Sequence, residues 1–359
     1  MKALRETWAA ARRALRRPLA LAAIIGVVLF IAGLLIGTRI SPAGVLQSYT
    51  AVRAVDNQYQ LIDPVLYLSV PENASFPLYT PLKSAVTAYA NAAVANGQVT
   101  QVSVYYRDLN SNRWIGVNPD DTFWPASMLK VIVLMSALHA SETSPQILDQ
   151  QITLPASLDA ADSEQDFFPP SDPALPGKSY SVDTLLQKMI AESDNNANTA
   201  LNAYLGSATV NKTFADLYVP IPDPNTGAGI TAQQYSHLFR VLYNATYLSP
   251  ADSERALQML TQTTFTQGLV AGVPPGTTVA HKFGETTRSA TSTSAAELHE
   301  LHDCGIVYYP NNPYFICVMT RGTQYAALTD VIQGMSRTVW QQVDALHKET
   351  KTDPESGFL

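Results

Sequence analysis

Histidine and cysteine are scarce in this 359-residue chain, and where they occur they do not gather. The six histidines include no His-Glu-x-x-His pair, and the two cysteines, Cys304 and Cys317, lack the spacing of metal ligands. A metal enzyme is therefore unsupported, and no cofactor is expected. Charge is sparse as well, with 15% of residues charged against 46% hydrophobic. That balance excludes a disordered protein and supplies apolar material for one sizeable domain or two small ones. No internal repeat is visible.

Basic charge is in excess only at one end. The first 17 residues hold Lys2, Arg5, Arg12, Arg13, Arg16 and Arg17 against Glu6, a local charge of +5, which leaves −12 for the remainder of a chain whose net charge is −7. An acidic body excludes general nucleic-acid binding. The basic head runs into "PLALAAIIGVVLFIAGLLIGT", residues 18–38, which are 21 residues without a charge. At about 1.5 Å per residue such a run crosses a hydrocarbon core. Residues 1–17 are thus predicted as a cytoplasmic tail and 18–38 as one transmembrane helix. No clear cleavage site follows, so the prediction is an uncleaved single-pass type II anchor in a bacterial cell membrane, with the membrane as a partner and the remainder extracytoplasmic, in the periplasm or at the cell exterior. The oligomeric state is not set by the sequence.

Residues 39–80, punctuated by Pro42, Pro64, Pro71 and Pro77, read as a stalk or packed leader, 81–349 as the main domain and 350–359 as a tail. The Ala-rich stretch up to Gly97 predicts a helix. Val102, Val104 and Tyr106 alternate ahead of an Asp/Asn/Ser turn, which predicts a β-hairpin. A buried helix is expected from Ser127 to about Ala140, and a long loop over 155–180, of the kind that roofs a site. One helical period resumes behind Ser181, and another helix follows over 231–247. Residues 278–285, 302–310 and 313–322 read as strands, the last two joined by a Pro-Asn-Asn-Pro turn. A closing helix repeats Val331, Met335, Val339 and Val343 every four residues. The expected fold is an α/β (α+β) domain, with a five-stranded antiparallel sheet flanked by helices, plus an all-α lobe and a cleft between them.

Three short motifs fall within that domain: Ser127-x-x-Lys130 after Pro125, "SDN" at Ser193, Asp194 and Asn195, and "HKFG" at His281 to Gly284. A serine hydroxyl is a weak nucleophile until a neighbouring base takes its proton. Lys130 stands one helical turn away, and desolvation, helped by a second cation at Lys282, lowers an amine pKa enough to make it that base. The bland alternatives are a helix-capping Ser127, a polar helix end at 193–195 and a solvated Lys282.

The ordered set resembles the penicillin-recognising serine acyltransferases, meaning serine β-lactamases and penicillin-binding proteins, and most closely the class A β-lactamases, which carry S-x-x-K, S-D-N and K-T-G in this order. The resemblance covers roughly residues 81–347. It implies Ser127, Lys130, Ser193 and Lys282 as catalytic residues, with Ser193 relaying a proton to the leaving nitrogen. It also implies Asn195 on the substrate amide, and Phe283, Gly284 and Glu285 in the substrate-binding strand, the oxyanion being held by the backbone N–H groups of Ser127 and Glu285.

Phe283 departs from the family, which has a hydroxyl residue there for a substrate carboxylate. Cys304 stands where an arginine is usual, leaving Arg288 and Arg321 as substitutes that spacing does not separate. No Ω-loop glutamate is found, since the only Glu between Asn195 and Lys282 is Glu254, on a later helix. Glu164, Asp216, Asp223 and Glu285 are the carboxylates left to search for a deacylating base. The expectation is a membrane-anchored, class A-like serine hydrolase acting through a Ser127 acyl-enzyme on β-lactams or related amides, with slow deacylation. The alternatives are a peptidoglycan D-Ala-D-Ala peptidase or other cell-wall serine peptidase, and a binding protein of little or no turnover. If Asn311 and Asn312 form the last turn, Cys304 and Cys317 share a face but stand diagonally, a placement from which a bridge needs a twist or bulge.

Overall fold

A computed structural model describes residues 51–53, 59–68, 79–158, 165, 167–223, 226–288 and 297–352, all within the unit Tyr49–Gly357. Strands β1 (Ala51–Arg53) and β2 (Val65–Leu68) pair antiparallel ahead of α1 (Thr80–Ala95). Pro81 lies in the first turn of α1, where a missing N–H breaks no helical bond. Leu82, Val86, Ala90 and Ala93 form its buried stripe.

Strands β3 (Gln101–Asp108) and β4 (Trp114–Val117) make the expected hairpin. A 3-10 turn over Ala126–Leu129 leads into α2 (Lys130–Thr143). Short strands β5 (Gln151–Thr153) and β6 (Ser179–Ser181) then pair and close the base of the long loop, a pairing that its irregular composition hid. Helices α3 (Val182–Ala191), α4 (Asn195–Leu205), α5 (Ser207–Asp216), α6 (Ala232–Tyr243) and α7 (Pro250–Thr261) follow. The last elements are β7 (Val279–Arg288), β8 (Leu298–Val307), β9 (Tyr314–Gly322) and α8 (Tyr325–Thr352).

The main sheet has the order β4-β3-β9-β8-β7, so β7 is an edge strand. All its pairings are antiparallel. One face packs on α1 and α8 through Val104, Tyr106, Phe283, Ile316 and Val318 against Val331, Met335 and Val339. The other face, with Cys304, Ile306, Phe315, Cys317 and Met319, packs on the helical lobe. Helix α2 is the lobe's axis: Val131, Ile132, Leu134, Met135, Ala137 and Leu138 are all fully buried. Each large apolar side chain so buried contributes about 1.5–3 kcal/mol, which offsets the cost of taking Lys130 into the same environment.

The structure corrects three expectations. Among the described residues no helix is long and apolar enough to cross a membrane. The apolar run 18–38 lies outside the described residues, and with no spanning helix among the described residues, the anchor, the membrane as partner and the single-pass extracytoplasmic placement are withdrawn from the fold, the function and the localisation. The helical period behind Ser181 is broken between α3 and α4, because Ser193 takes a left-handed conformation (φ 58°) and Asp194 starts a new helix as its N-cap. The β8–β9 register pairs Val307 with Tyr314, so the connecting loop is longer than the Asn311–Asn312 turn and Cys304 stands directly opposite Cys317. The two are bridged, with their Cα atoms 4.0 Å apart. Residues 60–62 of the leader are tied to the lobe: buried Glu254 on α7 accepts hydrogen bonds from the backbone N–H groups of Gln60, Leu61 and Ile62, at 3.2, 2.8 and 3.1 Å.

Candidate active site

Ser127 lies in the 3-10 turn that feeds α2, and its side chain caps no helix. Pro125 precedes this turn, and Ala126 is held at a φ of 48°, a conformation costing a non-glycine residue about 1–3 kcal/mol. The turn is held in place from three directions. Buried Tyr235 donates its hydroxyl to Met128 O at 3.0 Å. Strand β7 closes against it at Gly284, where an added Cβ would lie 2.6 Å from Pro125 O and 3.0 Å from Met128 Cγ. This close approach explains the glycine of the third motif.

The third constraint was not visible in the sequence. Glu300, His302 and Arg321 form a polar cluster on β8 and β9, with both Glu300 and His302 fully buried. Glu300 Oε2 accepts from Trp124 N at 2.9 Å, and His302 Nε2 lies 3.0 Å from Trp124 O. Thr320 N lies 3.2 Å from His302 Nδ1, which assigns the ring proton to Nε2 and its donation to Trp124 O. Arg321 Nε and Nη2 each meet Glu300 Oε1 at 2.7 Å, and Nη1 bonds Gln101 Oε1. Burial alone would raise the Glu300 carboxyl, but His302 and Arg321 together hold it down to about 2. Both backbone groups of Trp124, three residues before Ser127, are thereby fixed. Arg321, one of two substitutes for a carboxylate-binding arginine, is committed to this cluster.

Lys130 is 3% exposed, and its Nζ is surrounded by oxygens. Ser127 Oγ lies at 3.0 Å, Ser193 Oγ at 3.2 Å and Asn195 Oδ1 at 2.6 Å, and Ser193 O accepts a further bond. The Lys130 amine thus meets three other sequence-derived site positions. Ser193 reaches it because the left-handed kink turns both its carbonyl and its hydroxyl inward. Asp194 is structural: its Oδ1 accepts from Asn196 N and Ala197 N, and its Oδ2 from Ala174 N at 2.5 Å. Burial lowers the Lys130 pKa to about 7, although Asp194 and Glu285 pull it upward. The expected lowering by Lys282 is not among these causes.

Lys282 is fully buried on β7, and its Nζ donates to Phe283 O at 3.2 Å while lying 4.3 Å from the Phe283 ring centroid. Burial, and then the nearby Lys130, depress its pKa well below the usual lysine value. Phe283 belongs to the core shared with α1 and α8, its ring 4.5 Å from that of Phe265 and 5.4 Å from that of Phe168. The side chain at the third-motif position is thus packed inward. Glu285 Oε1 accepts from Phe168 N at 3.1 Å. With Ala174 tied to Asp194, the loop is pinned at both flanks of the lysine pair, as a roof requires. His281 pairs with Asp303 at 2.7 Å, and both are buried.

One of the four carboxylates left to search for a deacylating base is engaged elsewhere, as is Glu254. Asp216 bonds exposed Lys212 at 2.5 Å, and Glu254 clasps the leader. Glu164 lies outside the described residues. Among the described residues no group of three or more His, Cys, Asp or Glu side chains is arranged to hold a metal ion.

No curated protein sequence matches the chain. Among solved structures, PBP-A is 22% identical over 74% of this chain and 97% of its own, with a TM-score of 0.60. A β-lactamase from Chitinophaga pinensis is 21% identical over 72% of this chain and 99% of its own, with a TM-score of 0.61. A class A β-lactamase representative from Bacteroides cellulosilyticus is 19% identical over 73% and 98%, also at 0.61. These likenesses carry the fold, and the β-lactamase enzyme family matches residues 82–343, from α1 to the last buried turn of α8. The chain therefore belongs to the β-lactamase enzyme family and is a β-lactamase-like serine hydrolase.

Proposed function

We propose that the protein transfers acyl groups through an ester on Ser127, with Lys130 as the base. The observation that carries this reading is the 3.0 Å contact between Ser127 Oγ and a lysine amine whose pKa burial lowers to about 7. A neutral amine has two protons and one lone pair. With the protons given to Asn195 Oδ1 and Ser193 O, the lone pair is free to receive the Ser127 proton.

As the proton moves, Oγ bonds to the substrate carbonyl carbon and the carbonyl π pair becomes an oxyanion, held by the N–H groups of Ser127 and Glu285. Collapse re-forms the carbonyl and breaks the bond to the leaving nitrogen or oxygen. The leaving atom takes a proton from Ser193 Oγ, which Lys130 replaces across 3.2 Å, so the amine ends neutral and the acyl-enzyme is formed. Water then hydrolyses the ester. Because Lys130 must also serve that step, and its tightest oxygen contacts favour holding it in one orientation, hydrolysis lags behind acylation and the ester accumulates. Support by analogy comes from a PBP-A mutant, solved as an acyl-enzyme complex with penicillin G.

A fluorophosphonate probe, which needs only an activated serine, tests this reading with intact-mass detection. A stoichiometric adduct is expected on the native protein and none on Ser127→Ala. An activated ester should give an initial burst followed by slower turnover. An adduct that persists in Ser127→Ala would remove Ser127 as the nucleophile.

A further inference from the structure

The cleft is unsuited to an anion, and this bears on what it acylates. Lys282 is fully buried, so its Nζ cannot meet a substrate group while Phe283 covers it, and its polar and ring contacts are both with Phe283. Lys130 is enclosed by oxygens of Ser127, Ser193 and Asn195. The Arg321 guanidinium is divided between Glu300 and Gln101 and packs over the Phe123 ring at 5.2 Å. Glu285 places a carboxylate close enough to influence both lysines. The segment 155–174, which bonds to Glu285 at Phe168, has five acidic residues and no basic one.

A carboxylate entering a low-dielectric cleft loses hydration that only a reachable cation or several donors can replace. Among the described residues these cations are sequestered, and buried Glu285 adds a carboxylate on the same strand as Lys282. Phe283 is central to this, because its ring fills the space beside Lys282 Nζ and ties it to the aromatic cluster of Phe168 and Phe265. Resting on the reading of Ser127 as nucleophile, we propose that the preferred acyl donor is an ester or amide with no carboxylate beside its scissile bond, and that Phe283 and Glu285 set this preference.

The test uses two thioesters with the same acyl group, one leaving as thioglycolate and the other as its neutral methyl ester, each normalised to its hydroxide-catalysed hydrolysis. Each competes with a fluorophosphonate for Ser127, and thiol release gives kcat/KM. The neutral donor should protect Ser127 and be favoured at least tenfold, and Glu285→Gln, which still accepts from Phe168 N, should narrow the gap by raising the carboxylate donor's rate. Phe283→Thr should narrow it further, and the Gln variant keeps the test open if the Thr variant fails to fold. Equal rates, preference for the carboxylate, or protection by neither donor overturns the inference. Failure of Ser127 to react with the fluorophosphonate itself would instead strike down the acyl-transfer reading beneath it.

Discussion

Lys130 and Lys282 are both buried, and their surroundings differ in kind. Around Lys130 are oxygens from Ser127, Ser193 and Asn195, each able to exchange or orient a proton. Around Lys282 are the ring and carbonyl of Phe283. Burial depresses both pKa values. Desolvation therefore makes an amine neutral in either place, but only a neighbouring hydroxyl makes a neutral amine a base. Under the proposed acyl-transfer reading, burial at Lys130 serves chemistry and burial at Lys282 serves packing at a sheet edge.

The largest effect should come from Lys130→Met, which keeps the bulk and removes the lone pair. The rate of Ser127 labelling is expected to fall by about 10²–10⁴-fold, the usual range for a lost general base, while the protein still unfolds cooperatively. A loss of less than fivefold would erase the distinction between the two lysines. The next effect is in pH. The neutral amine is the active form, so acylation should rise with pH, half-maximal near 7 as Lys130 deprotonates. Between pH 6 and pH 8 that is about a tenfold increase, by the neutral fraction of a single group. A flat or falling profile contradicts the assignment. The smallest effect is expected from Lys282→Met. Labelling with a neutral probe should slow by less than about tenfold, short of the 10²–10³ typical of a lost transition-state donor. A drop as large as that for Lys130→Met would show that Lys282 is reached during the reaction.

Much of the site was legible because its spacing is local. Ser127 and Lys130 are three residues apart, and a tight helical start brings such a pair together whatever surrounds it. The strands and the four-residue period of α8 could likewise be read, since alternation and periodicity report which face is buried. What escaped depends on partners distant in sequence. Trp124 meets Glu300 across 176 positions, and Leu61 meets Glu254 across 193. The break at Ser193 also escaped, because a serine does not announce a left-handed backbone, and its kink is held by the bonds its carbonyl and hydroxyl make to Lys130. The cysteine register was misread by two residues, since a strand register is set by face burial and loop length together, and the Pro-Asn-Asn-Pro turn alone did not disclose the loop's extent.

By itself the sequence determined the main-sheet strands, the three motifs and the three-residue spacing of Ser127 and Lys130, because these rest on short spacings and on periodicity. Only the tertiary structure decided what those groups can do. Packing buries Lys130 among oxygens and Lys282 against Phe283, spends Arg321 on Glu300, and places Cys304 opposite Cys317. The physical reason is that pKa, ion pairing and access depend on what is excluded from around a group, and that exclusion is supplied by residues far away along the chain.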